Sequence, residues 1–444
     1  MSSSDVVSAL SGVLVENAKR YFDHAISTKA PLANGEILPI EDTEGESYTF
    51  IAADLATGST QLATDGSARP KPVARTPAKG AEAFPATVTT TLSLGRLAKL
   101  GKMSTEKMGQ LLDFKLKTAA IDCAKTLERG LHGWAVNPQA SATWSGTGST
   151  DTVTVSFEDI TGFEPGMIVD FEDDSANLSY RIHATAVTPT AKGSFSGKVA
   201  GTVAFKNDVV DPATGSAANL GSTGITTSDV FRVAGYQAGF GGADTKVTAL
   251  VSFDDICGTG ASSSLHGVDP ATEVASWLGY RDNVAGPYTQ EASLAFMNFL
   301  MQRGDVYPDV AIVPNQIAAA HAAAAGVRGT GFGHMSAVST DPSVERSIDS
   351  KMDKYGNINS ARMEINGAAA IVSPLAPATK IRFCNKEFTK LFRWTEIEPE
   401  EDGNGKPYHV DHDNLGVLVF MSGDIQLVTE RRSSCGEMYG ITSL

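Results

Sequence analysis

Cysteine is scarce. Four residues, Cys123, Cys257, Cys384 and Cys435, stand far apart in a chain of 444 and form no C-x-x-C pair. That usage excludes a disulfide framework and points to reduced thiols in a chain made in a cytoplasm. The opening "MSSSDVVSALSGVLVENAKRYF" has no basic segment ahead of an apolar one, so no secretory signal is expected. No apolar run approaches the roughly 20 residues of a membrane helix, and no membrane partner is expected. Basic residues are outnumbered, 36 against 51 acidic, giving a net charge of −15. Such a balance favours solubility and argues against wholesale nucleic-acid binding, which needs a positive footprint. No G-x-x-x-x-G-K-[ST], G-x-S-x-G or H-E-x-x-H string occurs. No catalytic set, cofactor or metal site is expected, and the chain reads as something other than an enzyme.

Three weaker patterns deserve their bland readings beside the sharp ones. In "YHVDHD", a strand would bring His409, Asp411 and Asp413 to one face, with His412 on the other. That trio could hold a cation, but without a distant fourth ligand a solvated strand is the better reading. In "DFEDDS", Asp170, Glu172 and Asp174 alternate, yet the glycine and closing glutamate of a calcium loop are missing, which favours a surface strand end. "GVRGTGFGH" at 326–334 follows a helix, whereas a dinucleotide fingerprint follows a strand, so it reads as a loop.

What is present is mostly architecture. Length and ordinary apolar content predict a globular protein of two or three domains. Residues 4–27 carry apolar side chains at helical spacing, as in Val6, Leu10, Val13, Ala18 and Phe22. "SYTFIAA" and "ATVTTTLSL" read as two strands that pair with each other. Between them runs a Gly-, Pro- and Ala-rich stretch that cannot build its own core and must lie extended. Ser104 caps the next helix, whose apolar face runs through Met108, Leu112, Leu116, Ala119, Cys123, Leu127 and Leu131. From Ala140 to Thr248 composition turns to Thr, Gly, Ser, Ala and Val, with short strands between turn residues, which predicts an inserted small barrel or sandwich.

The densest stretch is "EASLAFMNFLMQRGDVYPDVAIVPNQIAAAHAAAAG", Glu291 to Gly326. Thr289 caps a helix whose apolar residues nearly surround it, so burial on all sides is expected, with Gly304 ending it in the left-handed conformation. "DVAIV" is apolar throughout and belongs inside a sheet. Asn315 caps a second helix that Gly326 stops, and Asp341 with Pro342 opens another, to about Lys354. Strands "RMEIN", "AAIVS", "TKIRFCN", "TKLFRWTEIE" and "LGVLVFMSGDIQLVTE" follow, predicting a mostly antiparallel final third.

This order of elements resembles tailed-bacteriophage major capsid proteins with the Hong Kong 97 type of fold. The resemblance is carried by the arm, the long hairpin, the capped helix ending in "TLERGLHGW", "DVAIVPNQIAAAHAAA", "INGAAAIVSPLAPATKIRF" and "GVLVFMSGDIQLVTERRSSCG". It implies an α+β capsid fold with an inserted all-β domain. Its parts would be an N-terminal arm at 1–45, an extended β-hairpin loop at 46–95 and a peripheral domain with spine helix at 96–139. The inserted β domain at 140–248 is followed by the peripheral domain again at 249–326, an axial domain at 327–384 and returning C-terminal strands at 385–444. The function implied is self-assembly, as pentamers and hexamers, into an icosahedral shell around double-stranded DNA held without sequence-specific contact. A portal and a separate scaffolding protein would be partners, since the arm leaves no room for a fused scaffold. The place would be the virion, assembled in the host cytoplasm. Alternatives are an encapsulin-like compartment or, from another class, a hydrolase with a carbohydrate-binding β module and a metal or acid pair near His409 and His412.

One surface hypothesis comes from charge. Arg69, Lys71, Arg75 and Lys79 cluster in "ARPKPVARTPAK", where prolines stiffen the chain. "EIEPEED" supplies Glu396, Glu398, Glu400, Glu401 and Asp402. The basic arm of one subunit is expected to dock on the acidic strip of the next.

Overall fold

The computed structural model describes residues 18–35, 37–53, 78–96, 105–145, 151–173, 178–192, 199–207, 224–234, 250–318, 321, 364–401, 409–411 and 416–443. Several expectations lie outside these residues: the basic arm tip at Arg69, Lys71 and Arg75, the Ser104 cap, the 326–334 loop, the helix opened by Asp341, and Asp174, Asp402, His412 and Asp413.

A helix over 18–29 (α1) packs its Ala18, Phe22 and Ala25 against the side of helix α2, Thr105–His132. At 1.5 Å per residue, α2 is about 42 Å long. Its buried line runs through Leu112, Leu116, Cys123, Leu127 and Leu131, as the periodicity predicts. This line lies on a sheet built around the long strand Gly416–Thr429, meeting Leu92, Val419, Met421 and Leu427.

The strand expected to pair with residues 47–53 does not do so. Ala86–Arg96 pairs instead with Gly416–Thr429, and Tyr48–Ala53 pairs with Ala78–Ala83 to make a separate two-stranded ribbon. The partner sequence "AKGAEA" has no strand propensity of its own. Its small residues suit it to close packing, and Ala81 and Ala83 are buried in the contact it makes.

A short helix, Phe253–Cys257 (α3), starts from a reciprocal capping box between Ser252 and Asp255. Helix α4, Gln290–Gly304, is capped by Thr289 as expected. It packs on a six-stranded sheet ordered Tyr280–Pro287, Gly436–Ser443, Ile381–Cys384, Val310–Pro314, Ala368–Ser373, Glu364–Ile365. Val310 and Ile312 face the α2 core, while Ala311 and Val313 face α4. A strand buried on both faces reads as a continuous apolar run, which is why "DVAIV" looks as it does. This sheet is mixed: Val310–Pro314 with Ala368–Ser373, and Tyr280–Pro287 with Gly436–Ser443, are parallel pairs, so the final third is less antiparallel than expected.

Two expectations for α4 are corrected. The left-handed residue at its end is Asp305, with φ 56°, rather than Gly304. Gly304 is needed for close approach instead: a Cβ there would stand 2.7 Å from the Ser433 carbonyl oxygen. The helix is also buried on one side only, by Phe296, Met297 and Leu300, while Leu294, Phe299 and Met301 are exposed.

Residues between α2 and α3 include a second six-stranded sheet with its own aromatic core of Phe157, Phe163, Phe171, Phe205 and Phe231. Thr152–Phe157 alternates as expected, with Val153, Val155 and Phe157 inward. Ala135–Val136 forms one edge of the sheet, beside Val230–Val233, and Pro138 just after it bridges Phe157 of the strand at the other edge, Thr152–Phe157. One short segment thus ties both ends of the sheet into a barrel-like closure, which removes free edges. The sheet begins at Ala135, upstream of the compositional change at 140. Lys125 and Arg129 of α2 both reach Glu164, at 2.8 Å each, fixing the barrel against the helix.

Candidate inter-subunit surfaces

The Tyr48–Ala53 and Ala78–Ala83 ribbon is rooted in a small core. Its inward face, Phe50, Ala52 and Ala81, packs on Val268, Val274 and Trp277. The loop beneath it makes a tight turn at Leu265–Val268, whose two ends exchange N–H to C=O bonds of 3.0 Å. His266 and Gly267 both have positive φ, 53° and 76°, the signature of a type I′ turn. The His266 carbonyl accepts the Glu82 N–H at 3.0 Å, and the Trp277 indole N–H donates to Leu265 O at 3.3 Å. Lys79 pairs with Glu273 at the same junction, and the Tyr48 hydroxyl donates to Glu430.

Arg432 holds this loop in shape from below. Its buried guanidinium donates to the carbonyls of Asp255, Ile256, Gly260, Ser263 and Trp277, including 3.0 Å to Ile256 and 2.6 Å to Ser263. Burial pulls its pKa down to about 10, so it stays charged at neutral pH. Nearby, Arg382 donates to Glu437 at 2.8 Å, Asp254 at 3.1 Å and the His132 carbonyl at 2.8 Å, joining the end of α2 to the mixed sheet.

Several large apolar side chains are left facing outward. Ile51 on the ribbon is 74% exposed, opposite Gly80. Phe114, 66% exposed, and Ile121 stand two helical turns apart on α2. On α4, Met301, 51% exposed, and Leu294 stand two helical turns apart on one side, and exposed Phe299 flanks the buried face on the other. Isolated exposed hydrophobics are ordinary, but grouped ones on regular elements mark surfaces for other macromolecules.

The predicted charged residues divide. Lys79 is engaged within its own chain by Glu273, and Glu396 by Lys19 and Arg393. Glu398, Glu400 and Glu401 are exposed, and none forms an ion pair with another described residue. Asp170 and Glu172 are held in the barrel sheet by Arg181 and Arg232, at 2.9 and 3.0 Å, as a structural strand would have them. His409 and Asp411 lie on one short strand, and no metal-binding group of His, Cys, Asp or Glu occurs among the described residues. All four cysteines are buried free thiols. Sequence reading missed Arg432 and the His266–Gly267 turn; the second had a signal, two turn-competent residues between Leu265 and Val268.

No protein-family model matches the sequence, and no curated protein matches it. Among solved structures the chain is similar to a capsid asymmetric unit of cyanophage A-1(L), at 12% identity, 91% of this chain, 90% of that one and a TM-score of 0.45. It is also similar to a chain of the phage G gp27 major capsid and gp26 decoration protein structure, at 6% identity, 91% and 87% coverage and a TM-score of 0.38. A virus-like particle from Pyrococcus furiosus gives 8% identity, 96% and 98% coverage and a TM-score of 0.38.

Proposed function

We propose that the chain is a major capsid protein that assembles with copies of itself, as pentamers and hexamers, into an icosahedral shell enclosing double-stranded DNA. The observation that carries this reading is the set of large apolar groups left exposed on the ribbon, α2 and α4, with Ile168 on the barrel besides. A building block needs such faces on several sides, because each copy meets several neighbours. The ribbon is the root of an extended loop that reaches a neighbour, α2 is the spine of a peripheral domain, and residues 327–384 belong to an axial domain. The barrel between α2 and α3 is an inserted domain. Its role is to stabilise neighbours or carry host-facing surface. A portal and a separate scaffolding protein complete the assembly, which takes place in the host cytoplasm and ends in the virion. In the charge hypothesis, Glu398, Glu400 and Glu401 remain the acceptors, whereas Lys79 and Glu396 serve their own subunit. Light scattering on native material tests the reading: megadalton particles are expected, and a strict monomer or dimer under all mild conditions would overturn it.

A further inference from the structure

The turn beneath the ribbon contains a feature that anchoring alone does not require. His266 is half-buried, its ring set edge-to-face with the Phe50 ring at 5.8 Å, and its buried Nε2 atom has no hydrogen-bond partner. Its backbone carbonyl is at the same time the acceptor for Glu82 in the ribbon. A type I′ turn needs positive φ at its first central position, where asparagine, aspartate and glycine serve as well as histidine. A titratable ring with one buried, unpartnered nitrogen thus lies directly under the root of the arm.

We propose that the Leu265–Val268 turn is a proton-sensitive latch, in which protonation of His266 favours release of the ribbon root from the loop that holds it. Burial pulls the His266 pKa down to about 3, with the nearby Arg432 charge acting the same way. The sign follows from linkage. The closed latch holds a neutral imidazole, whereas an opened one exposes it to water, where it titrates near 6.5. Closure is fully favoured above about pH 6.5 and is lost as pH falls towards 3. The open fraction then rises by about tenfold per pH unit through that window.

Other charged groups face the site from the loop, the ribbon and below. From the loop come Asp269 and Glu273, whose carboxylates are held below their ordinary range, Asp269 by the Ala271 N–H and Glu273 by Lys79. From the ribbon come Lys79 and Glu82, and from below comes Arg432. The depressed carboxylates of Asp269 and Glu273 give up their charge at lower pH than an ordinary carboxylate does. Histidine is the side chain whose ordinary charge change falls between pH 5 and 8, and comparison with His266→Asn isolates its share from that of the carboxylates.

Because the latch lies within one subunit, it stands or falls independently of shell assembly. Hydrogen–deuterium exchange of the full-length chain tests it, read in peptides covering Tyr48–Ala53 and Ala78–Ala83 and corrected for intrinsic exchange. Between pH 7.5 and 4.5 the wild-type ribbon should lose protection by about 100-fold. His266→Asn suits the positive φ but cannot titrate, so its ribbon should keep the same protection across that range. Peptides covering Glu128–His132, around the buried His132, report separate opening and should behave alike in both proteins. Equal pH slopes in wild type and variant, or no slope in wild type, would overturn the latch.

Discussion

Trp277→Ala should detach the ribbon without unfolding the subunit. The indole is 3% exposed and forms the floor on which Phe50, Ala52 and Ala81 rest, with Val268 and Val274 beside it. Truncating a buried tryptophan costs about 3–5 kcal/mol through lost burial and the cavity left behind. The cluster is small and lies at the edge of the fold, so partial collapse places the expected loss near the low end, about 3 kcal/mol. None of the residues in the α2 core or the α4 core belongs to this cluster, so the loss should appear as local opening. At 1.4 kcal/mol per tenfold, about 3 kcal/mol raises ribbon opening by roughly 100-fold. Exchange in Tyr48–Ala53 and Ala78–Ala83 should accelerate by that factor, while the midpoint followed by circular dichroism moves little. Trp277→Phe keeps a ring but loses the bond to Leu265 O, about 1 kcal/mol, and should accelerate exchange only several-fold. Unchanged ribbon exchange in Trp277→Ala would refute the reasoning. So would a large global loss with no selective effect on the ribbon.

Arg432→Met leaves the carbonyls of Asp255, Ile256, Gly260, Ser263 and Trp277 without this donor, and should cost about 4 kcal/mol or more in urea unfolding; a loss under about 1 kcal/mol would contradict its role as the loop's hub. Replacing Glu398, Glu400 and Glu401 together by Lys should leave subunit stability within about 0.5 kcal/mol, since these residues are exposed, yet lower particle yield on a salt-sensitive scale. Normal assembly of that variant would remove the acidic strip from the interface. Reversing Arg69, Lys71, Arg75 and Lys79 to Glu should weaken assembly in the same way, with a small added loss at the ribbon root because Lys79 leaves Glu273 unpaired; particles of normal yield and stability would end the electrostatic docking idea.

Much of the scaffold was legible because it rests on local patterns. The α2 face and the doubly buried Val310–Pro314 strand follow from periodicity and continuous apolarity. The ribbon pairing was not legible, since Ala78–Ala83 becomes a strand through its contacts rather than its propensity. Helix α4 misled for a different reason. Leu294, Phe299 and Met301 are as apolar as its core residues, and sequence does not say whether an apolar face is covered by its own chain or by another molecule. The root of the arm depends on contacts far apart in the chain: Lys79 and Glu273 are 194 residues apart. Arg432 sits in "ERRSSCG" with nothing to distinguish it from its neighbour Arg431, and only the converging carbonyls give it a role.

Hydroxyl-radical footprinting tests most directly the claim that the outward apolar groups are covered by neighbouring copies. Oxidation of Ile51, Phe114, Leu294, Phe299 and Met301 is measured by mass spectrometry in assembled particles and in dissociated subunits. All five are exposed in the subunit and should oxidise readily there. In the particles, residues from the ribbon, α2 and α4 should each be protected several-fold. Equal oxidation of these residues in particles and in subunits would contradict the account.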